Sequence, residues 1–256
     1  LAMADGEFVA LLDHDDELHP DALRLVDEAL SAEPESDYVY TDEDKIDERG
    51  RRSAPFYKPD WSPERLRTQM YTCHLSVLRR ALVDEVGGFD PEFEGSQDWD
   101  LVLRVTERAR NVLHVPHVLY HWRLLATSTA AAGEQAKPYA YDAGTRAIQA
   151  HCDRIGFPAV AERDLEHSGV YHLQPVLREH PRVSIVIPTR GDVRDVRGEE
   201  TTLVTHCVRS IVERSTYPSL EIVVVSDTTT PTPVLDDVRR IGGDRLTVVD
   251  YDLPFS

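Results

Sequence analysis

The chain has 256 residues, with 46 acidic against 28 basic side chains and a formal net charge of −18. Such an excess excludes nucleic acid or an anionic lipid surface as partners held by bulk charge, and leaves any phosphate recognition to a local metal ion or arginine. Three scattered cysteines, Cys73, Cys152 and Cys207, with no C-x-x-C pair, exclude a zinc ribbon and a disulfide framework and fit a reducing, cytoplasmic compartment.

No apolar run reaches bilayer length and no signal peptide opens the sequence, so no transmembrane segment is expected. The chain opens on Leu1 rather than Met and stops just after a strand-like run, so both ends read as cut. Phe8–Leu12 is a short, continuously apolar stretch, expected as a strand buried on both faces. His19-Pro20 opens a helix with Leu23, Val26, Ala29 and Leu30 as its stripe. Tyr38–Thr41 is a second strand, followed by DEDKIDERG, which reads as an acidic, turn-rich loop, and by APFYKPDWSPE, an ordered loop. Cys73–Leu78 alternates weakly as a strand. ALVDEVGGFDPEF is a short helix closed by Gly87-Gly88, QDWDLVLRVTERA a helix, and NVLHVPHVLYHWR a strand. This first block spans residues 1–135.

Residues 136–181 read as a connector, a helix stopped by Gly156 and then a small hairpin, with no obvious chemistry. Residues 182–256 run β-α-β-α-β: VSIVI, a helix over 202–213, EIVVV, a helix over 234–241, and LTVVDY. That alternation predicts a parallel sheet with right-handed crossovers, and its ligand would sit at the carboxyl ends of the strands, here PTRGD and SDTTTP. No G-x-G-x-x-G follows either strand, so a dinucleotide fingerprint is absent.

Three constellations carry chemistry. In LLDHDDEL, Asp13 and Asp15 form a D-x-D at a strand end, two oxygen donors suited to Mg2+ or Mn2+ shared with substrate phosphates; Asp16 reads as a helix cap. A phosphohydrolase of the haloacid dehalogenase type also carries a D-x-D, but Glu17 stands where that type has Thr or Val. In Gln97-Asp98-Trp99-Asp100, helical periodicity puts Asp98 on the face of Leu101, Val102 and Val105, and Asp100 on a charged face with Arg104. Asp98 is thus either a helix cap or an inward-aimed general base. In His121-Trp122-Arg123, the histidine reads as an extra metal ligand or an ordinary strand-end side chain, and the arginine as a phosphate fork.

In this order, GEFVALLDHDDELHPDAL, YTDEDKID, YKPDWSPE, VGGFDPEFEGSQDWDLVLRV and LYHWR resemble family 2 glycosyltransferases of the GT-A fold, of the tandem-domain kind that builds bacterial surface polysaccharides. VSIVIPTRG, TYPSLEIVVVSDTTTP and LTVVDYDLPFS resemble the opening of the same fold. The resemblance implies an α/β, Rossmann-like, mostly parallel sheet with helices on both faces. Residues 1–135 would be the metal and acceptor half of one domain and 182–256 the nucleotide-binding half of the next, docked in circularly permuted order or as reciprocal halves of a dimer. It implies an inverting, divalent-metal-dependent transferase that moves sugar from a UDP-, dTDP- or GDP-sugar to a saccharide or lipid-linked saccharide acceptor, in the cytoplasm or at the inner face of the membrane.

By the same resemblance, Asp98 is the catalytic base, although Gln97 stands where the family writes Glu. Asp15 and His121 hold the metal, Asp13 contacts the metal or the donor ribose, and Arg123 faces the diphosphate. Pro188, Thr189, Arg190 and Asp227 contact the nucleotide, and Trp99 lies on the acceptor side. Ser226 occupies a position where the family carries Asp, with Asp227 one residue later. A phosphohydrolase, or a non-catalytic fragment that binds nucleotide sugar, is the alternative reading.

Overall fold

A computed structural model describes residues 1, 3–124 and 138–252. The chain divides after Val176 into two compact units, each with sheets made from its own strands.

In the first unit, β1 (Phe8–Leu11), β2 (Glu17–Leu18), β3 (Tyr38–Ile46), β4 (Arg52–Phe56), β5 (Ser76–Arg79) and β6 (Val112–Arg123) form one sheet in the order β1-β5-β3-β6-β2, with β4 on β3. Only the β3–β6 pairing is parallel. The sheet is therefore mixed, and the mostly parallel architecture expected from the sequence belongs to the second unit. β1 pairs with β5 alone, so it is a half-buried edge strand rather than one buried on both faces.

The first helix, α1 (Ala22–Ala32), buries Ala22 and Val26 in a cluster with Val39, Val77 and Leu119. A short α2 (Pro63–Leu66) follows, with Ser62 accepting at its N-terminus from the Arg65 N–H, and α3 (Arg80–Glu85) comes next. α4 (Gln97–Thr106) buries Leu101, Val102, Leu103 and Val105.

Residues 138–175 do not behave as a connector. α5 (Pro138–Arg154) buries Ala147, Ile148 and Cys152 in the core that α4 also enters. Its Ala140 carbonyl accepts from Ser96 Oγ at 2.7 Å. The hairpin β7 (Ala159–Arg163) and β8 (Tyr171–Pro175) adds Ala159, Ala161 and Tyr171 to the same core. Gly144 has no Cβ because one would overlap the Tyr171 phenol.

The largest departure from the sequence reading is DEDKI. It continues β3 to Ile46 instead of turning, and Asp42, Glu43 and Asp44 are buried. Buried carboxylates persist only when paired, and each has its partner. Asp42 faces His114 Nε2 at 2.9 Å, Glu43 accepts from Lys45 at 2.9 Å and Lys58 at 3.2 Å, and Asp44 faces His121 Nδ1 at 2.6 Å. The parallel register lays Glu43, Asp44, Lys45 and Ile46 beside Tyr120, His121, Trp122 and Arg123.

At the other end of β3, Asp37 accepts from Arg79 at 2.7 Å and Arg110 at 2.8 Å. The Arg110 hydrogen bonds, against a smaller effect of burial, hold its carboxyl down at about 2, from a usual 3.8. Between those values the unfolded chain binds more protons than the folded one, so stability falls as pH drops from about 4 to about 2. Asp37→Asn is expected to flatten that part of the stability–pH curve, as measured by urea unfolding across pH 2–6.

The second unit holds β9 (Val183–Thr189), β12 (Leu220–Asp227) and β13 (Leu246–Tyr251), parallel and in the order β13-β12-β9. Its helices α6 (Leu203–Arg214) and α7 (Thr232–Gly242) supply Val204, Val208 and Val238 to one cluster with Leu220, Ile222 and Val224. Both helices thus cover the same sheet face, because only the even-numbered residues of β12 are apolar and fully buried. Between β9 and α6 lies a hairpin the sequence reading omits, β10 (Val193–Val196) and β11 (Glu199–Thr202). Its two-residue turn, Arg197-Gly198, has φ of 59° and 86°, the positive-φ pair that tight hairpins require.

Candidate active site

The D-x-D follows β1 as the chain turns toward β2. β6 fastens that turn. Tyr120 Oη donates to Asp16 Oδ2 at 2.5 Å and accepts from Asp13 N at 3.2 Å. The Arg123 backbone N–H donates to Asp16 Oδ1 at 2.7 Å, its Nε donates to the Asp15 carbonyl at 2.6 Å, and its guanidinium pairs with Glu17. Asp16 is therefore a staple for the loop and not a helix cap; Asp21 occupies the cap position of α1. Burial pushes the Asp16 carboxyl up, against the Tyr120 and Arg123 hydrogen bonds. Arg123, expected to face a diphosphate, is committed to Asp15, Asp16 and Glu17.

Asp13 and Asp15 are left to the exterior, with side chains 65% and 30% exposed. No lysine or arginine among the described residues bonds to either carboxylate. Two accessible carboxylates are the donor set a hard divalent ion accepts while phosphate oxygens and water complete its shell. Among the described residues, no group of three His, Cys, Asp or Glu side chains is assembled for a metal, so the fit is to an ion shared with substrate and not to an all-protein cage.

His121 does not join them. Successive residues of a strand point to opposite sides. Tyr120 and Trp122 meet the His74 ring at centroid distances of 4.6 and 5.3 Å, while His121 is buried, bonded to Asp44 and edge-on to His19 at 6.0 Å.

His74, which the sequence reading passes over, lies at the centre of the site. Its Nε2 is 3.8 Å from Asp13 Oδ2, and its Nδ1 is 3.6 Å from Glu43 Oε2. Its backbone N–H donates to Glu43 Oε2, and its carbonyl accepts from Lys58 Nζ at 2.6 Å.

Beside it opens a pocket of about 390 Å3, lined among others by Cys73, Asp98, Trp99, Trp122, Tyr141 and Tyr171. Asp98 stands in the first turn of α4, where its anion is favoured by the helix dipole. Even so, burial pushes its carboxyl above the usual range; the His74 charge works against that rise and the Asp13 charge adds to it. Trp122, which meets the His74 ring, lines the same pocket as Asp98, so the pocket adjoins the His74–Asp13 contact. Trp99 is mostly core: its Nε1 donates to the Leu66 carbonyl at 2.9 Å and its ring meets Tyr171 edge-on. Asp100, expected on a charged surface face, is fully buried, because Arg104 binds it at 2.5 Å and also caps the Val86 and Gly88 carbonyls.

In the second unit, Pro188, Thr189 and Arg190 leave the end of β9 and line a pocket of about 550 Å3 with Asp192, Leu203 and Cys207. Asp227 ends β12 and meets them: Arg190 Nε is 3.5 Å from its Oδ2, and Thr229 N–H donates to its Oδ1 at 2.7 Å. The Thr229 hydrogen bonds, with Arg190, lower the Asp227 carboxyl. Ser226 instead donates to Asp250 at 3.2 Å.

Residues 1–87 match the family described as glycosyl transferase family 2. Over its whole length the chain is 39% identical to an uncharacterised protein of Sinorhizobium fredii, of which it covers 28%. It is 34% identical to the O-antigen biosynthesis protein RfbC of Myxococcus xanthus, of which it covers 19%. It is 29% identical over 42% of its length to the chondroitin synthase of Pasteurella multocida, covering 11% of that protein. The chain thus spans less than a third of the length of these curated relatives. Among solved structures it resembles Staphylococcus aureus TarS 1–349 in complex with UDP, at 18% identity and a TM-score of 0.41, over 59% of this chain and 42% of that one. No helix among the described residues is long and apolar enough to cross a membrane.

Proposed function

We propose, from the match of residues 1–87 to glycosyl transferase family 2, that this chain takes part in an inverting, divalent-metal-dependent transfer of sugar from a nucleoside-diphosphate donor to a saccharide acceptor in surface-polysaccharide synthesis. The observation that carries the proposal is Asp98: a carboxylate of raised proton affinity in an aromatic-walled pocket, coupled to His74 and Asp13 at the D-x-D. A general base works best when burial lifts its proton affinity toward the working pH.

In this reading the acceptor saccharide lies in the pocket with one hydroxyl against Asp98. Asp98 takes the hydroxyl proton as the oxygen bonds to the anomeric carbon of the donor, and the bond from that carbon to the diphosphate oxygen breaks on the opposite side. A single displacement inverts the anomeric centre. Asp13 and Asp15 would hold a Mg2+ or Mn2+ ion, which when bound would offset the charge of the departing diphosphate. Tyr120, Asp16 and Arg123 fix the backbone that presents those two carboxylates. Within the second unit, Arg190 and Asp227 meet at the strand ends beside its own pocket, where that unit would bind a nucleotide.

The test is a thermal-shift screen of the chain against UDP-, dTDP- and GDP-sugars, with Mn2+, with Mg2+ and with neither. A donor at 100 times its Kd stabilises by about 2.7 kcal/mol, so one donor is expected to raise Tm by several degrees and to need the metal. Asp13→Asn with Asp15→Asn should remove the metal-dependent part. No shift with any donor, or the same shift without metal, would contradict the proposal.

A further inference from the structure

Lys45 has no role in the reading above. Glu43 pairs with Lys58, whose side chain is fully buried, and with Lys45. The Lys45 ammonium also sits 3.6 Å from the centroid of the Trp122 ring. Lys45 and Trp122 are register partners across the parallel β3–β6 pairing. Glu43 Oε1 accepts from Lys45 Nζ at 2.9 Å, which fixes the ammonium from the side. The same indole meets His74 at 5.3 Å and lines the pocket that contains Asp98. It is thus held by a cation that is itself held by a buried carboxylate.

We propose that Lys45 is a positioning residue. Anchored by Glu43, it fixes Trp122 as the wall against which a neutral pyranose of the acceptor lies, one hydroxyl within reach of Asp98. The acceptor part of this proposal rests on the transferase reading; the positioning part does not. An indole offers a flat apolar surface to the C–H face of a sugar, and a cation over an aromatic ring contributes enough to select one ring orientation. Lysine is suited to this task because its single charged end lies over the ring while it donates to Glu43.

The experiment compares wild type, Lys45→Met, Lys45→Arg, Trp122→Phe and the Lys45→Met/Trp122→Phe double variant, after far-UV circular dichroism has established folding. Lys45→Met keeps the length of the side chain and leaves Glu43 paired with Lys58, so the variant should fold. The first readout is acrylamide quenching of tryptophan fluorescence, which needs no substrate. Lys45→Met is expected to raise the quenching constant about 1.5-fold, Lys45→Arg to restore it, and the change to vanish in the Trp122→Phe background. The second is fluorescence titration with methyl glycosides of glucose, galactose, rhamnose and N-acetylglucosamine. The best ligand should bind Lys45→Met about fivefold more weakly, with donor-induced thermal shifts unchanged. Equal quenching of wild type and Lys45→Met, or a change that persists without Trp122, would overturn the positioning role. If quenching responds but no glycoside binds wild type, the acceptor assignment fails while the positioning of Trp122 stands. Failure of the transferase reading itself would show separately, in the donor screen.

Discussion

Asp98→Asn is expected to abolish sugar transfer, lowering kcat by about 10^2 to 10^4-fold, the usual worth of a positioned general base, while donor affinity stays within about twofold of wild type. The amide keeps the shape of the side chain and its place in the first turn of α4, but cannot take a proton. The groups assigned to the donor phosphates, Asp13 and Asp15, lie on the loop after β1 and do not depend on the Asp98 charge for their positions. The same assignment fixes the sign of the pH dependence. Burial raises the Asp98 carboxyl above the usual 3.8, and only the carboxylate accepts a proton. Transfer should therefore rise with pH through an acid limb that lies above the ordinary aspartate range and is missing from the residual activity of Asp98→Asn. The checks are kcat across pH 4–8 and calorimetric titration of the donor. Loss of donor binding with turnover retained would remove Asp98 from the role of base.

Much of this site could be read from the sequence because its pieces sit at the ends of regular elements. An apolar run before Asp13 marked a strand end, and the 3.6-residue period before Val105 turned Asp98 inward. Arg190 and Asp227 fell at the carboxyl ends of alternating strands, and the structure joins them. What escaped was everything decided by a partner distant in sequence. DEDKI looked like a loop because three acids in a row cannot be buried alone; their partners are Lys58, His114 and His121, up to 77 positions away. Asp100 looked like a surface residue because the pattern could not show Arg104 folding back over two carbonyls. His121 was assigned to the metal as a histidine expected beside the carboxylate pair and by the family resemblance, whereas strand alternation turns it away from Tyr120 and Trp122. His74 carries no local signal: it is the fold that sets it between Asp13 and Glu43. One clue to the acidic strand was available. DEDK and YHWR are both charged or aromatic at successive positions, and the parallel pairing sets Asp44 beside His121 and Lys45 beside Trp122.

Pairing of the buried acids makes Lys58 the residue whose removal should damage the first unit most. Its side chain is fully buried, and its ammonium donates to Glu43, to the Thr72 carbonyl at 3.2 Å and to the His74 carbonyl at 2.6 Å. Lys58→Met leaves those two carbonyls unsatisfied and leaves Glu43 with Lys45 and the His74 N–H. Breaking a buried ion pair from one side costs about 3–5 kcal/mol, which in a unit of this size lowers Tm by roughly 10 °C. Burial alone would raise the Glu43 carboxyl, but its interactions with the His74 side chain and the two lysines outweigh it and hold it far below the usual 4.5. The stability it supplies is complete above that value and drains away as pH falls below it, so the gap between wild type and Lys58→Met should narrow in acid. Adding Glu43→Gln to Lys58→Met should recover at least about 1 kcal/mol, because the two changes share one interaction and cannot be additive. Urea unfolding at pH 7 and pH 4 reads all three quantities. The same substitution should also impair function beyond its cost in stability. Lys58 ties down residues 72–74, the segment that places Cys73 in the pocket and the His74 ring beside Asp13, so transfer measured well below the variant's Tm should still be reduced. A Lys58→Met protein within about 0.5 kcal/mol of wild type at pH 7, the normal scatter of surface substitutions, would mean that Glu43 is held by Lys45 alone and that the cluster does not organise this site.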